Sequence, residues 1–161
     1  MEGIAGLLAV TLAATFVVAA VLKLRDRRGT TDDFASLGLP RPATLAALVP
    51  LAELAVALML VVAPGWGAVA AFVLLAAFTT VLIGVIRAGR VVSCACFGGG
   101  NSEPVDIGHV VRNAVLMVWA LPVLGVDRIA RPSGTETVVG LALIIGPAAV
   151  LAWWRARRRS G

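Results

Sequence analysis

The chain has 161 residues, of which 60% are hydrophobic and 14% charged, and a formal net charge of +5. Soluble domains carry about 25% charged residues and roughly 45–50% apolar ones with glycine counted in, so a water-soluble globule is excluded for want of polar surface. The basic residues sit beside long apolar runs with no aromatic residues interleaved, which excludes a nucleic-acid surface and assigns them to membrane topology and lipid headgroups.

Met1-Glu2-Gly3 lacks the basic start of a secretory signal, and the apolar run that follows ends in Lys23 and Arg25 rather than at a small-residue cleavage site. It reads as a retained first span, 4–22, long enough at 1.5 Å per residue to cover ~29 Å of hydrocarbon. Lys23-Leu24-Arg25-Asp26 reads as a stop-transfer signal whose long side chains snorkel to the headgroups. A polar, basic link then runs to Arg41, and Pro40 and Pro42 frame the start of a second span, 43–63, which contains Pro50 and Glu53. Ala63-Pro64-Gly65-Trp66-Gly67 predicts a tight turn with an interfacial tryptophan. The third span, 66–86, ends at Arg87 and Arg90.

The next segment, Val91-Val92-Ser93-Cys94-Ala95-Cys96-Phe97-Gly98-Gly99-Gly100-Asn101-Ser102-Glu103-Pro104, excludes a continuous helix by its glycine and proline content. Asp106 is placed to cap a fourth span, 107–126, with His109, Arg112 and Asn113 in its first two turns and Pro122 near its end. A short polar link leads to a fifth span, 137–154, closed by Trp153, Trp154 and four arginines. The expected architecture is all-α: one polytopic transmembrane bundle over 1–161, with a four-helix core and a fifth C-terminal span in the lipid bilayer. If the N-terminus is outside, all 14 Lys and Arg except Arg128 and Arg131 fall in cytoplasmic segments. The positive-inside rule therefore favours a multi-pass cell-membrane protein with its N-terminus out and its C-terminus in.

Cys94 and Cys96 are the chain's only cysteines. One residue apart, they would lie ~200° apart on a helix, so a bond between them needs a turn or an extended segment. Two extended steps place Cα atoms at most ~7 Å apart against the 4.4–6.8 Å of disulfides, which predicts a strained, easily reduced bond. Nearby Arg90 would favour the reactive thiolate. The plainer alternative is two small apolar residues packed at the interface. A metal site is not expected, because the two thiols and His109 give three ligands where structural zinc takes four.

Glu53 lies ~15 Å into its span, near the midplane, where a carboxylate must face the bundle interior or meet a cation. Arg112 enters from the same side to ~8 Å, which predicts a Glu53–Arg112 ion pair with Asn113 nearby. Such a pair would pin the second span to the fourth, as structural glue or as an aid to proton movement or thiol activation. His109, at a helix start among polar residues, reads as an interfacial side chain rather than a base.

The run of Lys23-Leu24-Arg25-Asp26, Glu53, Cys94-Ala95-Cys96-Phe97-Gly98 and Val111-Arg112-Asn113 resembles the MauE family of methylamine-utilisation membrane proteins, related to DoxX-like four-helix membrane proteins. The likeness covers about Ile4 to Gly125. It implies a role in maturing methylamine dehydrogenase or another exported protein, as a thiol-disulfide oxidoreductase component acting with a thioredoxin-like partner. Cys94 and Cys96 would be its redox pair, Glu53, Arg112 and Asn113 would support them, and no cofactor is implied. Two other functions compete. A small transporter would line a polar path with Glu53 and Arg112, and a non-catalytic assembly subunit would need neither cysteine.

Overall fold

A computed structural model of the protein describes residues 2–90, 92 and 105–125. Cys94, Cys96, the expected fifth span at 137–154 and the arginine tail lie outside the described residues. Five helices occur among those described: α1 (Glu2–Arg25), α2 (Arg27–Ser36), α3 (Pro42–Val62), α4 (Pro64–Arg87) and α5 (Ile107–Leu124). All but α2 are long and apolar enough to cross a membrane. Their outer faces carry Ile4, Leu48, Leu58, Val62, Val73 and Val118 well exposed, a surface that only lipid can solvate. The protein is therefore a multi-pass helical membrane bundle.

The helix ends follow from local chemistry. Pro42 and Pro64 sit in the first turns of α3 and α4, where the missing N–H is no loss. A single residue, Ala63, caps the end of α3 and the start of α4. The two helices approach so closely there that a Cβ on Gly67 would run into the backbone of Leu60. Asp106 caps α5 as expected, accepting from the Gly108 N–H, with His109 completing a capping box. The His109 ring, 2.9 Å from Asp106 Oδ1, helps hold that carboxyl below its ordinary range. His109 thus serves the helix end, in line with its reading as an interfacial residue.

Around the bundle α1 packs mainly on α3 and α4 mainly on α5, while α3 lies beside α4 and α1 beside α5. Small residues fill these seams: Ala9 and Ala13 of α1, Ala57 of α3, Ala68 and Ala71 of α4, and Ala120 of α5. Between helices in lipid, close van der Waals packing supplies the cohesion that the hydrophobic effect supplies in water.

The short helix α2 was not expected from the polar link. Asp26 caps it through the Gly29 N–H, and it ends in a Schellman turn. Leu39 N–H donates to the Phe34 carbonyl and Gly38 N–H to that of Ala35, with Gly38 at φ +77°. Its buried Phe34 joins Leu37, Ala46 and Val85 in a second small core, against which Val92 and Val105 also pack. An Arg90 guanidinium N–H donates to the Ser36 carbonyl, tying the end of α2 to the segment after α4. In effect α2 lies across one end of the bundle, the end where α1 and α4 finish and α3 and α5 begin.

Candidate functional site

Buried positions recur along the crossing helices every three or four residues. On α1 the stripe runs Leu12, Phe16, Ala19, Lys23; on α3 it runs Ala46, Pro50, Glu53, Val56, Leu60; on α5 it runs Asn113, Leu116, Ala120, Val123. This is the pattern of helices facing a common interior. Each of the three stripes contains a polar member, and the polar members converge.

Lys23 does not snorkel. It is 3% exposed, and its Nζ lies 2.7 Å from Glu53 Oε1, itself on a residue 2% exposed. The direction of helical side chains explains the correction. Every Cα–Cβ bond leans towards its helix's N-terminus, so Lys23, near the end of α1, points back into the bilayer. Glu53 belongs to a helix that starts at that same end, so its side chain leans up towards Lys23. Arg112, in the second turn of α5, leans towards the α5 start and thus away from Glu53's level. The predicted Glu53–Arg112 pair is accordingly replaced by Lys23–Glu53, which ties α1 to α3. Phe78 adds a ring whose centroid is 5.8 Å from Lys23 Nζ.

Arg112 and Asn113 nevertheless join the same site. Asn113 is buried and its Nδ2 donates to Thr79 Oγ1 at 3.3 Å, a link between α5 and α4. Thr79 in turn donates to the Leu75 carbonyl one turn back, so its hydroxyl is oriented to accept. Arg112 lines a small pocket together with Lys23, Glu53, Asn113, Phe16 and Phe78. Thr15, Ala19, Leu75, Leu82 and Leu116 complete its walls, so all four crossing helices contribute. Two basic side chains and one carboxyl group thus line an otherwise largely apolar chamber. Glu53 Oε2 is buried with no hydrogen-bond partner among the described residues.

Of the residues singled out from the sequence, then, Glu53, Arg112 and Asn113 meet in one pocket. Lys23, Thr79 and Phe78 were missed. For Lys23 the signal existed: it continues the Leu12, Phe16, Ala19 stripe, whereas Leu24 and Arg25 beside it face outward. Among the described residues no group of His, Cys, Asp and Glu is arranged to hold a metal ion.

The segment that carries Cys94 and Cys96 leaves and re-enters at this end of the bundle. Its stems are joined directly, Val105 N–H donating to the Val92 carbonyl at 2.9 Å. Both stem side chains pack on the small core beneath α2.

The comparisons with known proteins agree on one family. The family model described as methylamine utilisation protein MauE matches residues 1–125. Methylamine utilization protein MauE of Paracoccus denitrificans is 36% identical over 161 aligned positions, covering 96% of this chain and 86% of that protein. The protein of the same description from Paracoccus versutus is 32% identical over 130 positions, 77% of this chain and 70% of its own length. No solved structure matches.

Proposed function

This chain belongs to the MauE family of methylamine utilisation proteins, and from that premise we propose that it acts as a membrane thiol-disulfide protein with Cys94 and Cys96 as its redox pair. On this reading it serves the maturation of an exported amine dehydrogenase, exchanging disulfides with a thioredoxin-like partner. The observation that carries the proposal is the closed stem. Val92 and Val105, bonded to each other, bring the two ends of the cysteine-bearing segment together at this end of the bundle. Cys94 follows Val92 by two positions, and Gly98-Gly99-Gly100 leaves no side chains to block an approaching partner. Lys23 and Arg112 lie towards that same end of the bundle, with Glu53 deeper in the pocket they share.

We further propose that the cell membrane is the site of action and that the N-terminus faces out. The distribution of basic residues then puts the cysteine-bearing segment on the cytoplasmic side. A membrane-impermeant thiol reagent, applied to each face with and without prior reduction, reads redox state and sidedness together. The expected result is labelling only after reduction, and only from the cytoplasmic face. Full labelling of the two thiols in unreduced, aerobically prepared membranes would reject the redox pair, and labelling from the outer face would reverse the topology.

A further inference from the structure

We infer that the pocket between α1, α3, α4 and α5 is a binding site for a single water molecule, which bridges Glu53 to Thr15 and Asn113 and so joins the pairs Lys23–Glu53 and Asn113–Thr79 into one polar network. The inference goes beyond the thiol proposal and does not depend on it.

Two independent observations meet at this pocket. The first is an acceptor in need: Glu53 is 2% exposed, Lys23 donates to its Oε1 at 2.7 Å, and its Oε2 is buried with no hydrogen bond from a described residue. A buried carboxylate oxygen in that condition is costly, and a single O–H brought to it removes the cost. The second is room of the right size. The enclosed space open to a water-sized sphere is about 30 Å³, above the roughly 10–15 Å³ that a water requires and far below what a ring or a lipid headgroup fills. A sodium ion would fit by size, but its charge is opposed by Lys23, which already donates to the same carboxylate.

A buried water makes about three hydrogen bonds, and the side chains that line the pocket supply them. One O–H goes to Glu53 Oε2. Thr15 donates its own hydroxyl proton to the Thr11 carbonyl at 2.9 Å, so its oxygen is left to accept the second O–H. Asn113 spends one amide N–H on Thr79 Oγ1 and has a second to give to the water oxygen. Glu53, Thr15 and Asn113 line the same space from α3, α1 and α5. Phe16, Leu75 and Leu116 form apolar walls around them, which offer the water nothing else to bond. With Thr79 on α4 at the far end of the chain of bonds, the bridge connects all four crossing helices. In lipid, where a polar group has no bulk solvent to turn to, a connected set of this kind holds a bundle together.

X-ray radiolysis of the full chain in phosphatidylcholine nanodiscs tests the site, because hydroxyl radicals formed from a bound water oxidise the side chains beside it, which mass spectrometry then locates. Phe16 in the pocket wall and Phe34 in the second core share one chemistry and nearly one burial, 5% and 3% exposed. Phe16 is expected to oxidise at least about fivefold faster, since it alone of the two faces the proposed water. In the double variant Lys23→Met, Glu53→Leu the Phe16 rate should fall to that of Phe34. Equal rates at the two phenylalanines in the unaltered protein would overturn the site, and an unchanged Phe16 rate in the double variant would overturn the bridge from Glu53. Should the double variant not fold, Asn113→Leu, which deletes one partner and fills the room, takes its place: a fall in the Phe16 rate supports the bridge and an unchanged rate overturns it.

Discussion

Lys23→Met is expected to destabilise the bundle by about 3–5 kcal/mol, because it strands the Glu53 carboxylate in the interior with neither oxygen paired to a side chain. Glu53→Leu should also destabilise, by removing the carboxylate that accepts from the buried ammonium group. The double replacement removes both charges together, and since a well-packed apolar pair often equals or exceeds a buried ion pair, it should return stability to within about 1–2 kcal/mol of the parent. Thermal unfolding of the detergent-solubilised protein reads all three. Losses that simply add in the double variant would mean that the two groups do not interact, and would undo the assignment of Lys23 as the partner of Glu53.

The second large effect concerns activity. Cys94→Ser leaves Cys96 without its neighbour, and vice versa, so a thiol that has attacked a partner's disulfide can no longer be released by the other. Each single variant is expected to abolish disulfide exchange and to accumulate a mixed disulfide, seen as a reducible band of higher mass on a non-reducing gel. The double Cys94→Ser, Cys96→Ser protein should be equally inactive without that band. Retention of amine dehydrogenase maturation in both single variants would leave the assembly-subunit alternative standing in place of the redox one.

Much of this architecture is legible in the sequence because lipid makes hydropathy decisive. The four spans read at 4–22, 43–63, 66–86 and 107–126 correspond to α1, α3, α4 and α5, with bounds of Glu2–Arg25, Pro42–Val62, Pro64–Arg87 and Ile107–Leu124. The Asp106 cap is visible for the same reason that it works, a carboxylate one residue ahead of an apolar periodic run. Helix α2 escapes notice because Arg27–Ser36 contains glycine, two threonines and two aspartates, poor helix formers with a lone large apolar residue, Phe34. Tertiary contact with Leu37, Ala46 and Val85 overrides that propensity.

The site was half legible. Burial depth alone identified Glu53 as a residue needing a cation, and depth alone pointed to Arg112. Choosing between two cations required the lean of each side chain along its own helix, which is a property of geometry rather than of composition. Asn113 was placed beside the charged pair, and its actual tie to Thr79 depends on how α5 sits against α4, something no single helix encodes.

The Lys23–Glu53 pair has a consequence for biogenesis. A lone ionised acid at the centre of a hydrophobic segment raises the cost of leaving the translocon by about 2.5–3.5 kcal/mol on insertion scales, so α3 enters lipid most readily as one half of a hairpin with α1 already beside it. Insertion assays on a fragment beginning at Pro40 should accordingly show poorer integration than the same segment carrying Glu53→Leu, and supplying α1 on the same chain should erase the difference. Order of synthesis, with the lysine emerging 30 residues ahead of its acid, thereby becomes part of how this bundle is built.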